Sequence, residues 1–348
     1  MPEIFKIFIP FVAAFAAGMA ITPALAHYLY KHEMWKKTSV RKAVDGREAP
    51  ISQSLHRDEE KNVPRMGGIV IWGSVAITAV ILASFGESNF VSRAQTWLPL
   101  FALFIGGLIG LLDDYLDTKG SVDHIAGGLS LKKRLLVVFG MSIVGAWWFY
   151  YKLGVDLLSV PFAGAVDIGI FFIPLFIAVM LAVYASGVID GLDGLAGGVF
   201  ASAFFAYAII AFSLGLFDLA AMNAAIVGGI LAFLWYNIPP ARFYMSETGT
   251  MGLTVTLAVV AFLTDAHAEG RGVLVLPIIA FPLFITLISV ILQVLSKKFR
   301  NGKKVFLVAP LHHHFEAIGW PAYKVTMRYW VISAVFAVVG LAIALFGV

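Results

Sequence analysis

Ten stretches of this sequence, roughly residues 4–29, 67–85, 97–112, 134–151, 170–187, 195–217, 219–236, 249–264, 273–296 and 328–347, are predominantly apolar and nearly free of charge. About 20 such residues are needed to cross about 30 Å of hydrocarbon. Lipid offers the backbone no hydrogen-bond partner, so each stretch is read as a helix. The 348 residues would allow two or three soluble domains, but 60% hydrophobic residues against 13% charged, with a mean hydropathy of +0.89, exclude them. The first stretch has only Lys6 before its apolar core and runs past Pro23 to Tyr30 without a cleavage site, so it is read as a span and not as a signal peptide. The fold class expected is an all-α polytopic integral membrane protein with about ten transmembrane helices. Residues 153–169, alternating and β-prone around an Ala/Gly turn, are expected to add a small extracytoplasmic β-hairpin.

Lys and Arg set the orientation. The connections after the first, third, fifth, seventh and ninth spans carry 21 of the 25 Lys and Arg, and the opposite side carries Lys6, Arg93, Lys152 and Arg271. By the positive-inside rule both termini are expected outside and the odd-numbered connections in the cytoplasm. A net charge of +4 is then topology, and no nucleic-acid partner is expected. Zero Cys excludes a thiol nucleophile and a zinc-thiolate site. The apolar cores hold essentially no ionisable group, whereas coupled transporters usually place such groups near the midplane. The chain reads as one membrane domain, 1–348, whose chemistry sits in the inner connections 30–66, 113–133, 187–195, 237–248 and 297–327.

Polar residues cluster in those connections. Asp113 and Asp114 end the third span, with Tyr115 and Asp117 after them; neighbouring carboxylates at the negative end of a helix dipole call for a cation. Between spans five and six lies Ser186-Gly-Val-Ile-Asp190-Gly-Leu-Asp193-Gly-Leu-Ala-Gly-Gly198, in which two Asp three apart share a face if the segment is helical. After span seven, Asn237-Ile-Pro-Pro-Ala-Arg-Phe-Tyr-Met-Ser246-Glu247-Thr248 stops one helix and starts another, with Glu247 near a helix N-terminus. The last inner connection carries a basic run, Lys297 to Lys304, suited to anionic lipid, and then His312, His313 and His314. Three adjacent His lack chelate spacing, so they are read as a polar ligand-binding rim and not as a zinc site. Finally, Lys61-Asn-Val-Pro-Arg65-Met-Gly67-Gly68 combines two cations with glycine N–H groups at a helix start, an arrangement suited to phosphate.

Carboxylates, cations and a His rim on one membrane surface fit phosphoryl transfer between a phosphorylated cytoplasmic substrate and something dissolved in the bilayer. Asp113-Asp114, Asp190-Gly-Leu-Asp193-Gly-Leu-Ala, the segment from Asn237 to Gly249, and Ala309-Pro-Leu-His-His-His-Phe-Glu316, in this order, resemble the polyprenyl-phosphate N-acetylhexosamine-1-phosphate transferases. The His-His-His-Phe-Glu run, followed by Gly319-Trp320 and Lys324, is most similar to their phospho-N-acetylmuramoyl-pentapeptide branch. That resemblance implies a bacterial inner-membrane enzyme transferring phospho-MurNAc-pentapeptide from UDP-MurNAc-pentapeptide to undecaprenyl phosphate, forming lipid I and UMP with Mg²⁺ as cofactor, and it suggests a homodimer. It implies Asp113 and Asp114 as catalytic carboxylates, Asp114, Asp190 and Glu247 as metal ligands, and Lys61, Asp193, Asn237, His312, His313 and His314 as substrate-binding residues.

Three places depart from the family pattern: Gly187 where it has a polar Asn, Ser246-Glu247 where it has Gly-Asp, and Arg65 where it has Thr. Arg65 is similar to the branch that uses UDP-N-acetylglucosamine, the alternative donor. Ser246 is expected to restrict φ and set Glu247 about one bond length back, so that the longer carboxylate still reaches the ion. A lipid-linked transporter or flippase is the reading from a different class.

Overall fold

The computed structural model describes residues 3–35, 62–84, 90–119, 128–266 and 272–347, which excludes Lys61. Each of the ten apolar stretches contains a helix. In chain order these are α1 (Phe5–Lys31), α2 (Ile69–Ser84), α3 (Trp97–Lys119), α4 (Leu131–Trp147, continued by a π turn over Trp148–Lys152), α5 (Phe172–Ser186), α6 (Leu195–Ser213), α7 (Phe217–Asn237), α8 (Ser246–Ala266), the short α9 (Leu276–Ile279), α10 (Phe281–Phe299), the short α11 (Leu311–Ala317) and α12 (Ala322–Phe346). Among the described residues, nine helical segments are long and apolar enough to cross a membrane. The expected second span is α2, 16 residues and so about 24 Å at 1.5 Å per residue. The expected ninth span is broken at Ala280 (φ −101°, ψ 31°), and Pro282 starts the second piece, where its missing N–H costs no helix bond. α3 runs seven residues beyond the expected 112, so Asp113, Asp114 and Asp117 project from a continuing helix and not from a loop.

The hairpin forms where alternation and the Ala/Gly turn put it. β1 (Leu157–Val160) pairs antiparallel with β2 (Gly164–Asp167), Leu157 opposite Asp167 and Val160 opposite Gly164. The N–H of Phe162 donates to the carbonyl of Gly347 at 2.7 Å, so hairpin and C-terminus share one end of the bundle.

α6, α7 and α8 form the buried centre; α3 and α5 pack on α8, α1 and α2 on α7, and α12 on α6. α8 is buried almost throughout although rich in Thr, and three of those hydroxyls bond within the helix: Thr250 Oγ1 donates to Ser246 O at 3.0 Å, Thr254 Oγ1 to Thr250 O at 2.6 Å and Thr264 Oγ1 to Val260 O at 2.7 Å. The outer helices keep large apolar side chains exposed, among them Val12, Leu136, Leu292 and Val335, as lipid contact requires. The approach of α3 to α8 is close because glycines line it. A Cβ at Gly106 would stand 2.9 Å from Gly252 Cα, and one at Gly110 would stand 2.0 Å from Glu247 O. That crossing lays the Asp113–Asp114 turn against the start of α8.

Candidate active site

The polar clusters meet at the end of the bundle opposite the hairpin. Asp113 and Asp114, 2% and 1% exposed, face different partners from adjacent positions on α3. Asp114 Oδ2 accepts from the N–H of Thr248 at 2.8 Å and from its hydroxyl at 2.6 Å, the free N–H groups of the first turn of α8 serving a carboxylate as helix N-termini do. Arg65 Nε is 3.6 Å from Asp114 Oδ1, and its Nη1 is ion-paired with Asp117. Asp113 accepts from the N–H of Leu129 and lies 3.3 Å from Arg134 Nε. Arg134, at the start of α4, reaches across to Glu247 with Nη1 and donates to the carbonyl of Leu129 at 2.9 Å.

Asp190 and Asp193 are not on one helical face. A 3₁₀ turn over Gly187–Ile189 ends at Asp190 (φ −73°, ψ 71°), and the chain then bends through Gly194 at φ 74°. The two carboxylates instead grip the connection after α7: Asp190 Oδ2 accepts from the N–H of Ser246 at 2.9 Å and Asp193 Oδ2 from the N–H of Ala241 at 2.9 Å. Burial pushes the Asp190 carboxyl up to about 6, against the Ser246 N–H and the charge of Arg65, which favour ionisation. Arg65 itself is held above its ordinary value: burial opposes its charge, but Asp114, Asp117, Asp190 and Glu247 outweigh that.

Three expectations are corrected here. Ser246 does not move its backbone out of the region a glycine would use; it sits at φ 55°, left-handed, with its N–H on Asp190 and its Oγ accepting from Arg65 Nε at 3.1 Å. The Gly67 and Gly68 N–H groups are not turned to a phosphate, because they donate to the carbonyls of Tyr244 (2.8 Å) and Met245 (3.3 Å). Asn237, expected to bind substrate, also holds two connections together, its Oδ1 accepting from the N–H of Gly194 and its Nδ2 donating to the carbonyl of Phe243, both at 2.9 Å. The three His do not form one rim. His312 and His313, 0% and 7% exposed, press on Gly191, where a Cβ would come within 2.4 Å of His312 Nε2 and 2.9 Å of His313 Nε2. His314 turns away, its Nδ1 accepting from the N–H of Leu307 at 3.3 Å, and His313 Nδ1 is 2.7 Å from Glu316. Lys61 lies outside the described residues.

Among the described residues no three His, Asp or Glu side chains are gathered to enclose a metal ion. The donors present are nonetheless those of a magnesium site. All are carboxylate oxygens, and Asp114 Oδ1 is buried without a hydrogen bond among the described residues. Mg²⁺ typically takes one or two protein carboxylates and fills its shell with water and substrate phosphate.

The sequence model of glycosyl transferase family 4 matches residues 96–265, the stretch that holds Asp113, Asp114, Asp117, Asp190, Asp193 and Glu247. The chain is 36% identical over 305 residues to a phospho-N-acetylmuramoyl-pentapeptide-transferase of Chlorobaculum parvum, covering 80% of this chain and 78% of that one. It is 35% identical over 302 residues to the enzyme of that name from Listeria welshimeri (85% and 90%) and 32% identical over 348 residues to that of Chloroflexus aggregans (96% and 88%). The chain belongs to the phospho-N-acetylmuramoyl-pentapeptide-transferase family.

The sequence alone singled out neither Arg134 nor Tyr184, and it placed Asp117 beside the Asp pair without assigning it a role. Tyr184, buried on α5, stands beside Arg134 and Glu247. Arg134 was read only as part of the basic count at a span end, and the signal available was that α4 opens Lys132-Lys133-Arg134, three cations where an anchor needs fewer. This transferase is a multi-pass membrane protein whose polar end assembles from connections far apart in sequence, Arg65 and Ser246 being separated by 181 residues.

Proposed function

We propose that the chain transfers phospho-MurNAc-pentapeptide from UDP-MurNAc-pentapeptide to undecaprenyl phosphate in the bacterial inner membrane, yielding lipid I and UMP, and that it works as a single membrane domain. The observation that carries this reading is the convergence of Asp113, Asp114, Asp190 and Glu247 with Arg65 and Arg134 at one end of an apolar bundle. A carrier dissolved in lipid can meet a soluble nucleotide only at such a boundary. By the Lys and Arg distribution that end is cytoplasmic and both termini are outside.

In the reaction an oxygen of the carrier phosphate bonds to the β-phosphorus of the UDP-sugar, and the bond to UMP breaks. Asp113 orients the attacking phosphate and takes its proton where one is present, with Arg134 setting the carboxylate's direction. Asp114 with Asp190 or Glu247 would hold Mg²⁺, which when bound would supply neutralisation of the diphosphate charge. Thr248 fixes the Asp114 carboxylate, and the 190–194 turn, braced by Asn237, sets Asp193 toward the uridine side. His312 and His313 border the nucleotide-sugar pocket beside Gly191, and Lys61 is assigned to bind phosphate or sugar. The Asp190 carboxyl, raised to about 6 by burial, would have to be ionised to serve as a ligand.

The test is a side-by-side assay of UDP-MurNAc-pentapeptide and UDP-N-acetylglucosamine with the full chain in lipid. The pentapeptide donor is expected to give the higher kcat/KM. Preference for UDP-N-acetylglucosamine would assign the chain to the other branch.

A further inference from the structure

Two of the three departures from the family pattern touch one another. Arg65 replaces a neutral residue, Ser246 replaces Gly, and Arg65 Nε donates to Ser246 Oγ at 3.1 Å. The same guanidinium is ion-paired with Asp117, lies 3.6 Å from Asp114 Oδ1, and acts electrostatically on Asp190 and Glu247. Its backbone is fixed as well, since the N–H of Arg65 donates to the carbonyl of Met34 at 2.8 Å at the end of α1. The guanidinium is about a quarter exposed, while the carboxylates it serves are almost fully buried.

We propose that Arg65 is a resident counter-cation of the acidic cluster: a positioning residue that holds Asp114 and Asp117 in place before a divalent cation arrives and sets how tightly the cluster then takes one. This rests on the magnesium reading above. Buried carboxylates left without compensation are costly, so a cluster lacking Arg65 needs the metal to stay together. Arg65 also competes for the Asp114 oxygen that makes no hydrogen bond among the described residues, and its charge repels an incoming divalent ion. At the effective dielectric of about 20 suited to such sites, one unit charge a few ångströms from the ion changes its affinity about tenfold or more. Arg65 therefore weakens Mg²⁺ binding while removing the need for it in folding.

The test is thermal unfolding of the full chain in lipid nanodiscs, titrated with MgCl₂ from an EDTA-treated start. Arg65→Ala and the near-isosteric Arg65→Gln are expected to unfold at lower temperature than the native chain without metal. Both should reach half of their Mg²⁺-dependent stabilisation at about one-tenth of the native Mg²⁺ concentration or below. Arg65→Lys, which keeps the charge and loses the planar fork, is expected to stay within about threefold of the native midpoint. A purely structural role would lower the unfolding temperature of all three without moving the midpoint. An unchanged midpoint in whichever of Ala and Gln folds would overturn the proposal, as would a Lys variant shifted as far as Gln. No Mg²⁺-dependent shift in any of them would also overturn it. Because unfolding is the readout, a chain that transfers neither UDP-sugar would still decide the matter.

Discussion

Gly110→Ala tests the way the fold builds the site. An added Cβ would stand 2.0 Å from the carbonyl oxygen of Glu247, and real Cβ atoms essentially never come within 3.0 Å of such an atom. The obstacle is backbone in the first turn of α8, which cannot rotate aside, so α3 and α8 must part by the difference, about 1 Å. Asp114, one turn further along α3, is held to Thr248 Oγ1 at 2.6 Å. Lengthened by that amount, the bond passes the limit of useful hydrogen-bond geometry, and the carboxylate loses its orientation. Overpacking costs about 1–3 kcal/mol of stability, while a reacting group misplaced by about 1 Å can cost about 10²-fold in rate. Gly140→Ala is the control, because nothing lies within 4 Å of its Cβ. With UMP release as the assay and thermal unfolding alongside it, Gly110→Ala is expected to fold and to lose about two orders of magnitude in kcat, while Gly140→Ala matches the native enzyme. Gly110→Ala active within about threefold of native would refute the reasoning that this crossing sets the site.

Asp113→Asn and Asp114→Asn are each expected to lower turnover by about 10²-fold or more while leaving the protein folded, and activity within threefold of native in either would remove it from the site. Glu247→Ala should be nearly inactive with a weakened Mg²⁺ dependence; an unaltered Mg²⁺ dependence would leave Glu247 as no more than the ion-pair partner of Arg134. Asp190, with its carboxyl pushed up to about 6, carries a proton below that pH in the metal-free chain, so activity is expected to fall as pH drops through about 6. Raising Mg²⁺ should move this acid limb to lower pH, because the ion favours the deprotonated form, and an acid limb indifferent to Mg²⁺ would contradict the role given to Asp190. Because the folded chain favours the neutral form of Asp190, that group's contribution to metal-free stability is present below about 4 and is lost as pH rises through about 6. His312→Ala and His313→Ala should raise KM for the donor more than they lower kcat, with His314→Ala milder since its ring turns toward Leu307; equal effects from all three would restore a single rim.

The helices and the hairpin were legible because lipid leaves a span one solution and because alternation around a short turn leaves a hairpin little else. The clustering of polar groups at one end was legible for the same reason, since consecutive antiparallel spans bring every second connection to the same side. The partners within the cluster were not legible. Two Asp three apart imply a shared helical face, yet Gly194 at φ 74° lets the chain turn, and the N–H groups of Ala241 and Ser246 drew the two carboxylates onto the neighbouring connection. A polar residue at a span end is ambiguous, and only the positions of Gly194 N and Phe243 O show that Asn237 also braces two connections. Arg134 was hidden by topology: a cation at the cytoplasmic end of a span satisfies the positive-inside rule whether or not a carboxylate 113 residues away is waiting for it.

The most direct test of the central claim is a single reconstitution of the full chain in lipid with UDP-MurNAc-pentapeptide, undecaprenyl phosphate and Mg²⁺, following UMP and the lipid-linked sugar together. The account predicts that the two appear in equal amounts, that omitting the carrier or adding EDTA stops both, and that Asp114→Asn yields neither. UMP formed without the carrier, or lipid-linked sugar formed at an undiminished rate by Asp114→Asn, would contradict it.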